Sequence, residues 1–157
     1  MFYSPVSGSQ ATTTTWPGGD FRWNHSKIML SGYTYVGRPS VPRRQMGTAA
    51  TPGVGDSLCG YGVTTLDKCD SVSHVGVQAW IDDVPGGGGY YEIGPLRCTD
   101  THVTSGGDSG GPWFYNYVAY GIHSGAYYPY TGATAVASCW SSVPYALQRF
   151  GIQLWTG

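Results

Sequence analysis

The sequence predicts an all-β protein, a Greek-key β-barrel closed by one short C-terminal helix. Short runs of β-branched and aromatic residues recur at close spacing, divided by Gly- and Pro-rich turns. The 157 residues include 25 glycines and 13 tyrosines, a composition suited to short strands and tight turns. A single stretch, near the C-terminus, carries helix signals.

Residues 1–19 are polar and turn-rich and read as an arm or exposed loop. Asp20-Phe-Arg-Trp alternates and reads as a short strand, and residues 28–36 hold one or two strand segments broken by Gly32. From Gly37 to Asp56 the chain is rich in Pro and Gly, with Arg38, Arg43 and Arg44, and reads as a linker between two halves. Strands are expected over Ser57–Val63, Val72–Trp80, Tyr90–Cys98, Pro112–His123 and Ala133–Trp140. Asp82-Asp-Val-Pro-Gly-Gly-Gly-Gly and Tyr127-Tyr-Pro-Tyr-Thr-Gly separate them as turns. Ser142 can cap the helix, Val143 and Pro144 fit its first turn, and Gly151 can stop it.

Composition narrows the function. Only 11% of residues are charged and the net charge is −1, so neither nucleic acid nor a membrane is an expected partner. No run of 18 apolar residues offers a membrane span. The four cysteines form neither a C-x-x-C pair nor a Cys/His cluster, so two disulfides are expected and no metal or cofactor. Disulfides point to an oxidising, extracellular setting. The start, Met-Phe-Tyr-Ser-Pro-Val, lacks the layout of a signal peptide, which places the expected N-terminus upstream of Met1.

The chemistry centres on Gly107-Asp108-Ser109-Gly110-Gly111-Pro112. Glycines leave the Ser109 hydroxyl uncrowded and let the chain turn tightly, aiming successive N–H groups at one point. Gly107-x-Ser109-x-Gly111 also satisfies the nucleophile-elbow pattern, in which a helix follows and the acid and histidine come later. Here a strand follows instead, and no Asp or Glu occurs after Ser109, which excludes that order within the chain.

The six-residue motif resembles that of the chymotrypsin-fold serine endopeptidases. Cys59-x-x-Gly62-x-Thr64-Thr65-x-x-x-Cys69, Gly121-Ile-His-Ser124-Gly125 and the closing Val143–Leu154 segment resemble the secreted bacterial branch, with its streptogrisins, α-lytic protease and glutamyl endopeptidases. The resemblance covers residues 55–157 well and residues 15–54 weakly. It implies residues 55–157 as a complete second barrel with nucleophile and specificity pocket, and residues 1–54 as a remnant of the first barrel plus linker. It makes Ser109 the nucleophile, Gly107 and Ser109 N–H the oxyanion hole, and Asp108 a buried structural group paired with a cation or polar network. Ser124, Gly125 and Ala126 become the substrate-pairing edge. The hairpin implies a Cys59–Cys69 disulfide; Cys98–Cys139 is what remains, and it departs from the family, whose cysteine lies closer to the nucleophile.

The catalytic histidine has no matching segment. His25, His74, His102 and His123 are the only histidines, and none sits in the family's Thr-Ala-Ala-His-Cys-type context. Asp20 opens an alternating strand about forty residues before the hairpin, as the family's catalytic aspartate does, which places the histidine before residue 1. A triad of His25, Asp56 and Ser109 is the other order available. Six places before the nucleophile stands Val103, not the Asp of trypsin-like enzymes. Thr104 and His123 resemble the pair with which glutamyl endopeptidases hold a substrate carboxylate, while Ala126 lacks the hydroxyl some of them add. The expectation is a secreted serine endopeptidase acting on proteins or peptides, with acidic preference. The alternatives are a non-catalytic peptide-binding relative and a split enzyme completed by a missing segment or second chain.

Overall fold

The computed structural model describes residues 11–14, 21–24, 33–38, 41–82, 90–129, 133–154 and 156. The expected sites Asp20 and His25 lie outside these residues. In chain order the elements are β1 (Ala11–Thr14), β2 (Phe21–Asn24), β3 (Tyr33–Arg38), β4 (Val41–Gln45), β5 (Thr48–Ala49), β6 (Ser57–Gly62), β7 (Leu66–Asp82), β8 (Tyr90–Thr99), β9 (Pro112–Tyr115), β10 (Val118–Tyr127), β11 (Ala137–Ser142) and the helix α1 (Val143–Phe150).

Six of the strands close into an antiparallel barrel. The order runs β11-β8-β7-β6-β9-β10, and β10 pairs with β11 to complete the circle. β5 adds to β10 in parallel, while β1-β2 and β3-β4 form separate two-stranded sheets. Strands β4 and β5 therefore lie inside the stretch read as linker. Val41-Pro-Arg-Arg-Gln pairs with β3 despite its proline, because the pairing is two-stranded and leaves an edge where a missing N–H costs little.

Other boundaries moved: β11 opens at Ala137 rather than Ala133 and runs to Ser142, and β10 continues to Tyr127. Pro112–His123 is not one strand but a hairpin turning at Asn116-Tyr117, where Asn116 takes φ 50°, a left-handed conformation that asparagine tolerates. β7 starts at Leu66 rather than Val72 because the Cys59 hairpin pairs down to Gly62↔Leu66. The helix follows its signals. Ser142 accepts from the Tyr145 N–H, and Gly151 ends the helix with φ 62°.

Leu58, Val72, Trp113 and Trp140 pack together inside the barrel, the two indoles stacked at 4.9 Å between ring centroids. A second cluster surrounds the disulfide Cys98–Cys139 with Leu96 and Ala137, where β8 meets β11. A third joins Val36 of β3 and Met46 to Cys59 and Phe114, so β3 packs against the Cys59–Cys69 hairpin. The loop that carries Ser109 leads into β9, whose Trp113 and Phe114 are buried in two of these clusters.

Candidate active site

Residues 104–111 lead into β9, and backbone bonds hold the loop at its second half. Gly110 donates to the His123 carbonyl at 2.8 Å, and His123 donates to the Gly111 carbonyl at 2.8 Å. These reciprocal bonds fasten the loop to β10 directly ahead of Ser124. Within the loop Asp108 N–H bonds Ser105 O and Gly111 N–H bonds Asp108 O. The N–H groups of Gly107 and Ser109 have no acceptor among the described residues. Gly107 takes φ 99°, and a Cβ there would meet Thr64 Oγ1 at 2.6 Å, so only glycine permits this turn.

Asp108 is the anchor. Its Oδ1 accepts from the N–H groups of Thr64 (2.8 Å) and Thr65 (3.2 Å), and its Oδ2 from the Thr65 hydroxyl (2.6 Å) and Ser105 N–H (2.9 Å). Of the expected alternatives, a cation or a polar network, the fold uses the network. Burial pushes the carboxyl pKa up, but the bonds from the Thr65 hydroxyl, Ser105, Thr64 and Thr65 outweigh it and hold the pKa below the ordinary carboxylate value. Gly62 leaves room for this close approach, since a Cβ there would lie 2.1 Å from Oδ1. Thr64, Thr65 and Ser105 had no role assigned from the sequence. The signal was a buried carboxylate with no arginine or lysine nearby in sequence, which requires N–H and O–H donors instead.

Ser109 is exposed, and its hydroxyl has no hydrogen-bond partner among the described residues. None of the three described histidines hydrogen-bonds Ser109. Ser73 Oγ donates to Thr99 O at 2.7 Å, so at its 2.6 Å contact with His74 Nδ1 it accepts. That pair is no nucleophile and base, because the serine proton is already committed. His102 is exposed on the loop.

Thr104 and His123 line one small cavity with Gly60, Gly62, Asp108 and Trp113. Both are buried, at 9% and 6% exposure. Trp113 Nε1 donates to His123 Nδ1 at 3.4 Å, which puts the proton of the neutral ring on Nε2. Burial drives the His123 pKa down from 6.5 to about 4; the Asp108 charge and the Cys139 carbonyl pull it up, and a charged His102 pushes it down. The ring is therefore neutral at pH 7. The unfolded chain takes this proton near pH 6.5 and the folded chain only near 4, so stability is full above pH 6.5 and falls as pH drops through that window. The loss amounts to about 3 kcal/mol. Denaturant titrations at pH 7 and pH 4 should show it in the native protein and a visibly smaller loss in His123→Gln; equal losses would refute the assignment.

Ser124 to Ala126 follow on β10. A register shift between His123 and Gly125 bulges the strand at Ser124. Gly125 and Ala126 pair with Cys139 and Ser138 of β11 on one side, while the pairing with β9 ends at Ile122. Among the described residues the other backbone edge of Ser124–Ala126 is unpaired. The structure thus brings Ser109, Gly107, Thr104, His123 and this edge to one end of the barrel.

No family model and no curated protein matches the sequence. Solved structures do. A glutamic-acid-specific serine protease that uses a histidine triad in substrate binding superposes with TM-score 0.70 at 26% identity, covering 94% of this chain and 73% of that one. Protease A of Thermobifida fusca gives 0.70 at 25% identity, covering 95% and 75%. This is the chymotrypsin fold of the bacterial serine proteases. Cellulomonas bogoriensis chymotrypsin shares it too, with TM-score 0.68 at 22% identity over 95% and 76% of the two chains. Within this chymotrypsin-fold chain the closed barrel β6–β11 carries the Gly-Asp-Ser-Gly-Gly-Pro loop, and two disulfides fit an oxidising compartment.

Proposed function

We propose that the protein is a secreted serine endopeptidase that cleaves peptide bonds through Ser109 and an acyl-enzyme, after acidic residues. The observation that carries the reading is the loop itself. An exposed serine and two N–H groups without acceptors are held beside a strand edge open to a peptide backbone. A substrate strand pairing with Ser124–Ala126 brings its carbonyl to Ser109. Ser109 Oγ attacks the carbonyl carbon and gives its proton to a neutral imidazole. The N–H groups of Gly107 and Ser109 take the oxyanion, a contribution of about 3–4 kcal/mol per donor in related chemistry. The imidazolium then protonates the leaving amine, and water repeats the sequence on the ester.

Asp20 is the proposed carboxylate of the triad, orienting an imidazole supplied from a preceding segment or a second chain. Residues 1–54 contribute the remnant of a first barrel in this scheme, and residues 55–157 the second. The Thr104 hydroxyl and the His123 ring line the small cavity that would take a substrate carboxylate, which favours Glu over Phe or Lys. The likeness to a glutamic-acid-specific protease supports this preference.

A fluorophosphonate probe should label the active protein and leave Ser109→Ala unlabelled; equal labelling of both would remove Ser109 from the reaction. A panel of peptides differing only at the cleaved residue tests the pocket, and faster cleavage after Phe or Leu than after Glu rejects the acidic preference. A second reading, a peptide-binding module without turnover, draws on the lack of any partner for the Ser109 hydroxyl among the described residues. Peptide binding without labelling would favour it. Turnover by residues 1–157 alone, abolished by His25→Ala, would instead give the base to His25.

A further inference from the structure

We infer that Ser138, on β11, is a specificity-positioning residue that forces the Thr104 hydroxyl to act as a donor. The inference rests on the acidic-pocket reading and names a residue that no motif pointed to. Ser138 is fully buried. Its Oγ accepts from the N–H of Val103 at 3.0 Å and of Thr104 at 3.2 Å, and it lies 2.7 Å from Thr104 Oγ1. A serine hydroxyl has two lone pairs and one proton. Both lone pairs are taken by N–H groups, so the proton goes to Thr104 Oγ1. Thr104 is then the acceptor in that bond, and its own proton has no acceptor among the described residues.

That leaves a buried donor facing the cavity it shares with His123. A buried hydroxyl proton without an acceptor is costly, and a substrate oxygen relieves the cost. A carboxylate suits the site better than a carboxamide. The amide NH2 of Gln needs an acceptor, and all four acceptor positions of the neighbouring Asp108 are filled by Thr64, Thr65 and Ser105. Ser138 itself is fixed through Thr99, whose Oγ1 accepts from Ser138 N–H at 2.9 Å. Thr99 and Ser138 are the immediate neighbours of Cys98 and Cys139, so the disulfide holds the positioning group.

The test compares peptides ending in Glu, Gln and Phe, the products of cleavage, in calorimetric titrations of the chain. Product binding needs no catalytic histidine. Ser138→Ala is expected to cut the Glu-over-Gln preference by about three- to tenfold, because Thr104 keeps its proton but loses the neutral hydrogen bond that fixes it as a donor. A loss of folding would lower binding of all three peptides together. In a Thr104→Ala background Ser138→Ala should change the preference no further, because it acts only through Thr104. Neutron diffraction gives a readout independent of binding, with the Ser138 hydrogen pointing at Thr104 Oγ1. An unchanged preference in Ser138→Ala, an equal loss in the Thr104→Ala background, or a hydrogen running from Thr104 to Ser138 overturns the inference while leaving an acidic pocket standing. Failure of the native protein to prefer Glu over Phe overturns the acidic pocket itself.

Discussion

Asp108→Ala should destabilise the protein by on the order of 4 kcal/mol, more than a typical surface-loop substitution. The change strands three backbone N–H groups and the Thr65 hydroxyl, which now converge on the carboxylate. Asp108→Asn is the sharper version, because it keeps the volume and points an NH2 at groups that also donate. Both should lower the denaturation midpoint without changing the slope. A loss below about 1 kcal/mol in either would mean that water replaces the network at little cost. Stability from this group is present above the ordinary carboxylate pKa and is lost as pH falls through the lowered folded value, so both variants should flatten the acid limb.

Removing Cys98–Cys139 should cost about 4 kcal/mol, against about 3 kcal/mol for Cys59–Cys69, from the entropy of closing the longer and shorter loops. The separations are 41 and 10 residues. The long bridge sits where β8 meets β11, a junction of only two register pairs that helps close the barrel. Paired Cys→Ser variants compared by denaturant titration check the order. A larger loss at Cys59–Cys69 would show that the hairpin, rather than the closing junction, limits the cooperative unit.

Much of the barrel was legible because its strands alternate and its turns carry Gly, Pro and Asn. Ser57–Gly62 and Tyr90–Thr99 fell within a residue of expectation, and α1 began at its capping serine. Other features were hidden for physical reasons. The turn at Asn116-Tyr117 is made by one asparagine in a left-handed conformation, without the glycine that marks most tight hairpins. β4 and β5 are short and owe their order to partners distant in sequence, β5 pairing with β10 some seventy residues on. At the site, the Gly-Asp-Ser-Gly-Gly-Pro motif pointed to a tight loop, and that loop is seen. Its supporting shell was not visible: Thr64 and Thr65 stood out only as part of a hairpin motif, and Ser105 and Ser138 are ordinary polar residues in sequence. Their roles arise only when a buried oxygen must be matched with donors.

The two halves of the site are braced by different parts of the barrel. The Asp108 network ties the Ser109 loop to the β6–β7 turn through Thr64 and Thr65. Thr104 is tied instead to β11 through Ser138. Under the proposed function, substitutions on β11 would alter what is selected while the Ser109 loop keeps its bracing, whereas substitutions in the β6–β7 turn would reach that loop first. A library confined to β11 is then where new selectivities should be sought.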